Sequence, residues 1–427
     1  MLALADALNH WADHPRAVPW SLLLHSGWSR AAPVRGYTLL APPLAAAAPA
    51  VLSRLHNAIL LVNPAAAELH APIEPGRLEP MLGQLRGIHH VPIVLDRPPA
   101  LPAGGRGFSV PSADLPPSRP PGPGLAVGLD IGGTGMKVCA LRDGVVIHTG
   151  SAPTWPDGES GVDSLIARAR ALVKEVAGGA PIGSLGIGLA APMGMGSRVV
   201  ELSAVLRERV GDVSAFVGFA DRVAHDLVDG PVALFNDLAN LGRYLSSLGG
   251  RRLVRLQIGT SFGGCWIDAN GDVYAVEMGR LIVDLGDDAL PHPYLPLNGA
   301  MRSYLSNAGI ARHLGPRAGH PIDARTAGHF LRALLDSGDP AGEQTLRWMA
   351  EVLLGVVAEM GALLPGVTRV EVGGSMLLGP AGRRLEAMIG GRGAVPVTVA
   401  AKPGYDGAIA AAVAPRVTSV LKGHRQV

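Results

Sequence analysis

Hydrophobic positions change period repeatedly along this chain. From Leu125 onward, short apolar runs of strand length alternate with longer stretches of helical period. Leu125–Asp130 and Lys137–Leu141 read as strands, and Asp143-Gly144 is a hairpin signal leading into Val145–His148. Ser164–Val176 has the three-and-four spacing of an amphipathic helix, stopped by Gly178-Gly179. Ser184–Leu189 and Val232–Phe235 are continuously apolar, as strands covered on both faces are, and Leu238–Leu248 is helical up to Gly249-Gly250. The order then recurs. Leu253–Ile258, Gly264–Asp268, an Asn270-Gly271 turn and Val273–Val276 are followed by a long helix over Gln344–Leu364 and a strand at Arg369–Val372. Such alternation predicts an α/β fold, and its repetition predicts two similar halves with a cleft between them.

Residues 99–124 are rich in Pro, Gly and Ser, carry neither period, and read as a linker. Residues 1–98 ahead of them predict a separate N-terminal α/β domain. There Asn57–Val62 reads as a buried strand, Leu78–Leu85 as a helix and Val91–Leu95 as another strand. No motif in this part carries chemistry. His89-His90 has the look of a metal pair, but adjacent strand residues point to opposite faces.

Composition narrows the classes. With 427 residues the chain exceeds one ordinary core. A net charge of +2 gives no electrostatic surplus to draw it to nucleic acid or an acidic membrane. The 2 cysteines, Cys139 and Cys265, exclude a disulfide framework and a Cys-rich zinc site, and their settings predict buried thiols. The opening MLALADALNHWADHP lacks a basic segment before an apolar one, and Pro42, Pro43 and Pro49 interrupt the apolar run Tyr37–Leu52. The expectation is a soluble, cytoplasmic protein acting on a small molecule, without nucleic-acid or membrane partners, a homodimer remaining open.

The strongest chemical signal is Gly128–Val138, GLDIGGTGMKV. A strand ends on an acid, Gly132-Gly133 make a tight turn, and Thr134 opens the returning strand. Glycines let backbone N–H groups approach a phosphate, Thr134 adds a hydroxyl donor, and Asp130 suits a metal ion beside those phosphates. A plain glycine hairpin would not need the acid. The loop is not a P-loop, because Lys137 is followed by Val138 on a strand. Two other matches fail on context. Gly186–Ala191 fits the dinucleotide fingerprint G-x-G-x-x-A, but Pro192, Gly194 and Gly196 deny it a helix. Gly259-Thr260-Ser261-Phe262-Gly263 fits the hydrolase elbow, yet leads into a hairpin. It reads better as a second phosphate loop with Thr260 and Ser261 as donors.

In order, DIGGT, LGIGLAAPMG, LFNDLAN, IGTSFGG, VEMG, EVGGS and YDGAIAAAV resemble the ROK family of sugar kinases and sugar-responsive repressors, over Leu125 to Val413. DIGGTGMK is also similar to polyphosphate/ATP glucokinases. The resemblance implies a two-lobed actin-like ATPase (ribonuclease H-like) fold over residues 125–427, beside the extra N-terminal α/β domain. ATP phosphates would meet Gly132, Gly133 and Thr134 on one side and Gly259, Thr260, Ser261 and Gly263 on the other, with Gly373, Gly374 and Ser375 at the adenosine. Asp130 would associate with Mg²⁺, and polyphosphate stays open as an alternative donor. Asp237 would be the general base and Asn236 a sugar contact; capping of the following helix is the simpler reading of that pair. Such a kinase would phosphorylate a hydroxyl of a sugar-like metabolite. A non-catalytic ligand sensor or regulator is the alternative, though the N-terminus shows no helix pair for DNA.

The departures are informative. The Cys-rich zinc loop usual in that family is replaced by DLGDDALPHPYLPLNGAMRS, without cysteine, so no structural zinc is expected, and His292 alone is no substitute. Glu277 is retained in a sugar-binding segment, but Arg280 stands where relatives carry His, and Arg302 where a second Glu is expected. Guanidinium groups accept no hydrogen bond and suit carboxylate or phosphate, which points to an anionic acceptor.

Overall fold

The computed structural model describes residues 4–25, 34–42, 45–62, 66–71, 75–88, 93–95, 124–156, 158–191, 193, 199, 201–293, 295–364, 366–393, 395–400 and 405–423. His89-His90 and nearly all of the linker fall outside them. The chain begins with α1 (Leu4–Ala12), β1 (Val18–His25), β2 (Val34–Ala41), α2 (Ala48–Val62), β3 (Ala66–His70), α3 (Pro75–Ile88) and β4 (Ile93–Leu95). Its four strands form one sheet in the order β2-β1-β3-β4, with only the last pair parallel. The α/β character is as expected. Asn57–Val62 is not a strand, however, but the end of α2. Val51, Leu52, Leu55, Ala58 and Ile59 are all buried at helical spacing, a period visible only in a window that reaches upstream of Asn57. Pro49, which looks like an interruption, sits in the first turn, where a missing N–H costs nothing.

The first large sheet is built from β5 (Leu125–Ile131), β6 (Gly135–Arg142), β7 (Val145–Pro153), β8 (Ile182–Leu189) and β9 (Val232–Asn236), with α4 (Val162–Ala177), α5 (Ala204–Val210), α6 (Phe219–Ala224) and α7 (Asp237–Ser247) around it. The second comprises β10 (Leu253–Ile258), β11 (Phe262–Ile267), β12 (Val273–Val276), β13 (Arg369–Gly373) and β14 (Val397–Val399). Its helices are α8 (Arg302–Leu305), α9 (Asn307–Ala318), α10 (Ala327–Ser337), α11 (Pro340–Leu363) and α12 (Pro380–Ile389). The strand orders, β7-β6-β5-β8-β9 and β12-β11-β10-β13-β14, are the same topology twice: an antiparallel meander of three strands joined to two parallel ones. The repeated pattern in the sequence is therefore a repeated sheet. At the turn between β6 and β7, Asp143 and Gly144 both have positive φ (53° and 80°), the hairpin geometry that Asp-Gly predicts.

The final helix, α13 (Asp406–Gly423), returns to the first sheet and lies across β5, β6 and β8. Its small residues Ala408 and Ala412 pack with Ala126, Cys139 and Leu141. Approach is so close that a methyl group at Gly128 would overlap the Ala408 carbonyl and the Ala412 amide. Between the lobes, α7 packs against α13 on one side and β11 and β12 on the other. Both cysteines are buried and free, as expected. Among the described residues no helix is long and apolar enough to cross a membrane.

The close approach at Gly128 is testable. Gly128→Ala should destabilise the protein by about 1–3 kcal/mol or more, because helix and strand backbones must separate to admit the methyl group. Thermal denaturation of the variant should show a clear fall in Tm.

Candidate active site

Three turns converge at the ends of the strands. In the first, the Gly132 N–H donates to Gly135 O (3.0 Å), closing the turn between β5 and β6. Thr154 braces it from β7's end: its hydroxyl donates to Gly132 O (2.7 Å) and its N–H to Thr134 O (3.2 Å). Nothing in the motif pointed to Thr154. In the second turn, between β10 and β11, the Gly259 N–H donates to Ser261 O (2.9 Å), and the first residue of α9, Asn307, donates to Gly259 O (2.7 Å). The two loops touch. Thr134 Oγ1 and Thr260 Oγ1 are 3.0 Å apart, across 126 residues of sequence. In the third, Gly374 follows β13 with φ +135°, and any side chain there would overlap the Ile258 carbonyl. Ser375, exposed, opens a single helical turn, and Arg332 donates to its carbonyl (3.0 Å).

Asp130 and Asp237 occupy the floor of the cleft at the ends of β5 and β9. Between them runs β8, whose Gly188 has Asp130 and Asp237 as near neighbours. Burial raises the Asp130 carboxyl above its ordinary value, with Lys137 acting against the rise. Asp237 is only partly accessible. Withdrawal from water, the charge of Asp130 and, more weakly, that of Glu277 push its pKa up to about 7, although the Leu238 N–H donates to Oδ1 (2.9 Å). Asn236 is committed to structure: Oδ1 accepts from Ala239 N–H (2.9 Å), capping α7, and Nδ2 donates to Ala191 O (3.1 Å). The capping reading thus holds for Asn236.

On the opposite wall, Glu277 is exposed and begins the turn Met278–Arg280. Arg280 and Arg302 are half-buried and converge: both charges act on His292, whose pKa burial and these guanidinium groups bring down to about 4. Gly279 lies between them and the sheet, against Phe262 O and the Arg302 Cβ. The cysteine-free segment that follows is organised by side-chain hydrogen bonds. Tyr304 donates its hydroxyl proton to Asp284 Oδ2 (2.7 Å) and accepts from Leu290 N–H (3.0 Å), and Ser303 donates to Pro291 O (2.9 Å).

Beneath the third turn, the Arg255 side chain is fully buried, with Nη2 2.9 Å from Asp406 Oδ2 and Nη1 3.3 Å from Glu371 Oε2. It ties β10 of the second lobe to α13 of the first, and its guanidinium lies against Gly373. No sequence motif marks it. The discarded matches also resolve as expected. Gly186–Leu189 stays within β8, and Ala191 is followed by an isolated bridge between Met193 and Val199. Gly259–Gly263 joins two antiparallel strands and leads into β11, with no helix behind Ser261.

No family model matches the chain, and no curated protein matches its sequence. Among solved structures, a ROK family glucokinase from Streptomyces griseus, in complex with glucose and AMPPNP, superposes with a TM-score of 0.54 at 21% identity, covering 69% of this chain and 100% of that one. The fold is the ROK fold. A candidate N-acetylmannosamine kinase from Listeria monocytogenes superposes with a TM-score of 0.50 at 15% identity, over 70% of this chain and 99% of that one. The two-lobed actin-like architecture is thereby established. The share of this chain left over is comparable in length to residues 1–124.

The raised carboxyl has a consequence for stability. Asp237 takes up a proton more readily when folded (about 7) than at its ordinary value of 3.8. Its contribution is therefore favourable at low pH and is lost as pH rises through about 7. Asp237→Asn keeps the acceptor for Leu238 N–H but never ionises. At pH 8 the variant should be more stable than the wild type by about 1–2 kcal/mol, screening at the accessible edge included, and the gap should close by pH 4. Tm measured across that range checks the sign.

Proposed function

We propose that this chain is an ATP-dependent kinase of the ROK type, which transfers the γ-phosphoryl group to a hydroxyl of a sugar-like, anionic metabolite. The observation that carries this reading is the meeting of the Thr134 and Thr260 hydroxyls between the two lobes, in a molecule that also holds the Asp237 carboxylate near pKa 7. Two hydroxyl-bearing glycine turns facing one another are a donor set for a chain of phosphates. The S. griseus glucokinase, which has this fold, binds glucose and AMPPNP, which supports a nucleotide in the cleft here.

Phosphoryl transfer requires positioning, charge neutralisation and one proton acceptor. Gly132, Gly133, Thr134, Gly259, Thr260, Ser261 and Gly263 would hold the phosphates, and Gly373-Gly374-Ser375 the nucleoside. Asp130 fits a Mg²⁺ ion, which keeps most of its ligands as water and phosphate oxygen and asks only one or two carboxylates of a protein. When bound, that ion would neutralise charge developing on the phosphates. Asp237 would accept the acceptor hydroxyl's proton as its oxygen bonds to the γ-phosphorus and ADP departs. A carboxylate near pKa 7 is a stronger base than an ordinary one and still ionised in half the molecules at neutral pH. Glu277 would accept from an acceptor hydroxyl, while Arg280 and Arg302 donate to an anionic group.

Asp237→Asn should reduce turnover by about 10²–10⁴-fold or more while leaving affinity for an ATP analogue intact. The check is ATP consumption across a panel of sugars, sugar acids and sugar phosphates, with polyphosphate as a parallel donor. Normal turnover by this variant would remove Asp237 as the base.

Charge preference at the acceptor is tested with glucose and gluconate, a matched neutral and anionic pair. Arg280→Ala and Arg302→Ala should weaken gluconate binding by about 2–5 kcal/mol and leave glucose nearly unaffected. Equal binding of the two compounds by the wild type would refute an anionic acceptor.

A further inference from the structure

The N-terminal α/β domain carries no chemistry of its own, yet it is fastened to one particular stretch of the second lobe. His56 and Asn57, both fully buried on α2, meet the backbone that leaves the acceptor wall. His56 Nε2 is 2.8 Å from Arg280 O. Asn57 Nδ2 donates to Ile282 O and Oδ1 accepts from Ile282 N–H, both at 2.8 Å. From α1, the Leu4 N–H donates to Val283 O (3.2 Å). From α3, Ile88 packs with Ile282 and Leu297. Two helices of one domain thus hold a single segment of the other through four hydrogen bonds to main-chain atoms of residues 280–283, and a third packs against it. Within its own lobe the segment meets only short extended backbone among the described residues: Met301 N–H donates to Leu281 O (2.8 Å), Val283 N–H donates to Gly299 O (2.9 Å), and Ile282 forms an isolated bridge with Ala300.

The His56 ring acts as a donor in this arrangement. Its pKa is brought down to about 4, chiefly by burial and further by the Arg280 charge, so the imidazole is neutral and an Nε2–H faces the carbonyl. The contact is fastened at its other edge by the Arg54–Glu359 ion pair (2.8 Å) and by Tyr37, whose hydroxyl donates to Leu363 O (2.9 Å). Apolar residues of β1, α2 and α3 share one continuous core with β10, α9 and α11. A domain joined by a linker alone would move independently; this one is built into the lobe.

We infer that the N-terminal domain is a clamp on the acceptor wall, and that His56 and Asn57 are positioning residues which fix Glu277 and Arg280 by holding the backbone at Arg280 and Ile282. The specificity of this clamp for the acceptor rests on the kinase reading above; the holding of the backbone does not. Removing either side chain leaves buried main-chain groups without their partner, a cost that opening of the segment to water relieves.

The experiment uses the full chain. In His56→Ala and Asn57→Ala, amide hydrogen exchange in peptides spanning residues 277–283 should quicken about tenfold or more, while peptides containing Gly132–Thr134 and Gly259–Gly263 keep their wild-type rates. His56→Gln, which retains a donor, should recover most of the protection. Tyr37→Phe, which loosens the interface away from the segment, should leave it protected. With gluconate or glucose as acceptor, whichever the wild type phosphorylates faster, KM for the acceptor should rise about tenfold with KM for ATP unchanged. Unchanged exchange in both alanine variants overturns the clamp, as does an equal rise in both KM values. If the wild type phosphorylates neither compound, the kinase reading loses its support on these acceptors, and the exchange result alone decides the clamp.

Discussion

Two carboxylates that repel each other share the floor of this cleft, and much of the surrounding structure serves to keep them there. Asp130 lies near the end of β5 and Asp237 directly follows β9, with β8 between them and its Gly188 in contact with both. On the far side of Asp130, Gly407 in the first turn of α13 brings the helix N-terminus against the carboxylate, and any side chain there would overlap it. That contact depends in turn on α13 lying flat on the sheet at Gly128. Positive potential at a helix N-terminus and the nearby Lys137 offset part of the repulsion. The Asp237 pKa is pushed up to about 7, first by withdrawal of its carboxyl from water and then by the charge of Asp130.

The same helix joins the lobes. Arg255 rises from β10 to pair with Asp406, the first residue of α13, so the helix that seats Asp130 is also tied to the sheet carrying the Gly259–Gly263 turn. A buried charge is costly unless paired, and here it has two carboxylates, Asp406 and Glu371. Losing Asp406 would leave Arg255 with Glu371 alone and free the N-terminus of α13. The contact between Thr134 and Thr260 would then lack its support from below. Lobe position, the two glycine turns and the Asp130 carboxylate are therefore one mechanical unit.

Most of the two-lobed part was legible because its signals are local. Glycine turns, Asp143-Gly144 and the apolar runs of β8 and β10 each state their geometry within a few residues. The order of motifs added the pairing of the two loops. What was not legible is long-range or lacks a distinctive residue type. Arg255 looks like any strand arginine until Asp406 is beside it. Thr154 gives no sign that it braces a turn 22 residues earlier. Asn57–Val62 was misread because an apolar run of six residues is equally a strand or the buried face of a helix. Only Val51 and Leu55 upstream decide the matter. Asn236 shows the reverse case, where an ordinary cap residue accounts for its own position.

The N-terminal domain and the cysteine-free loop explain each other. A segment such as 280–303 has little regular structure, and its backbone groups need partners once buried. Tyr304, Ser303 and Asp284 supply some of them from within the second lobe. Backbone groups of the segment supply others to one another, and Leu4, His56 and Asn57 supply more from outside the lobe. Side chains tied to one defined backbone can present two guanidinium groups at a fixed spacing, which a loosely held loop cannot, since their mutual repulsion would drive them apart. Burial first, and then the charges of Arg302 and Arg280, bring the pKa of His292 in this segment down to about 4.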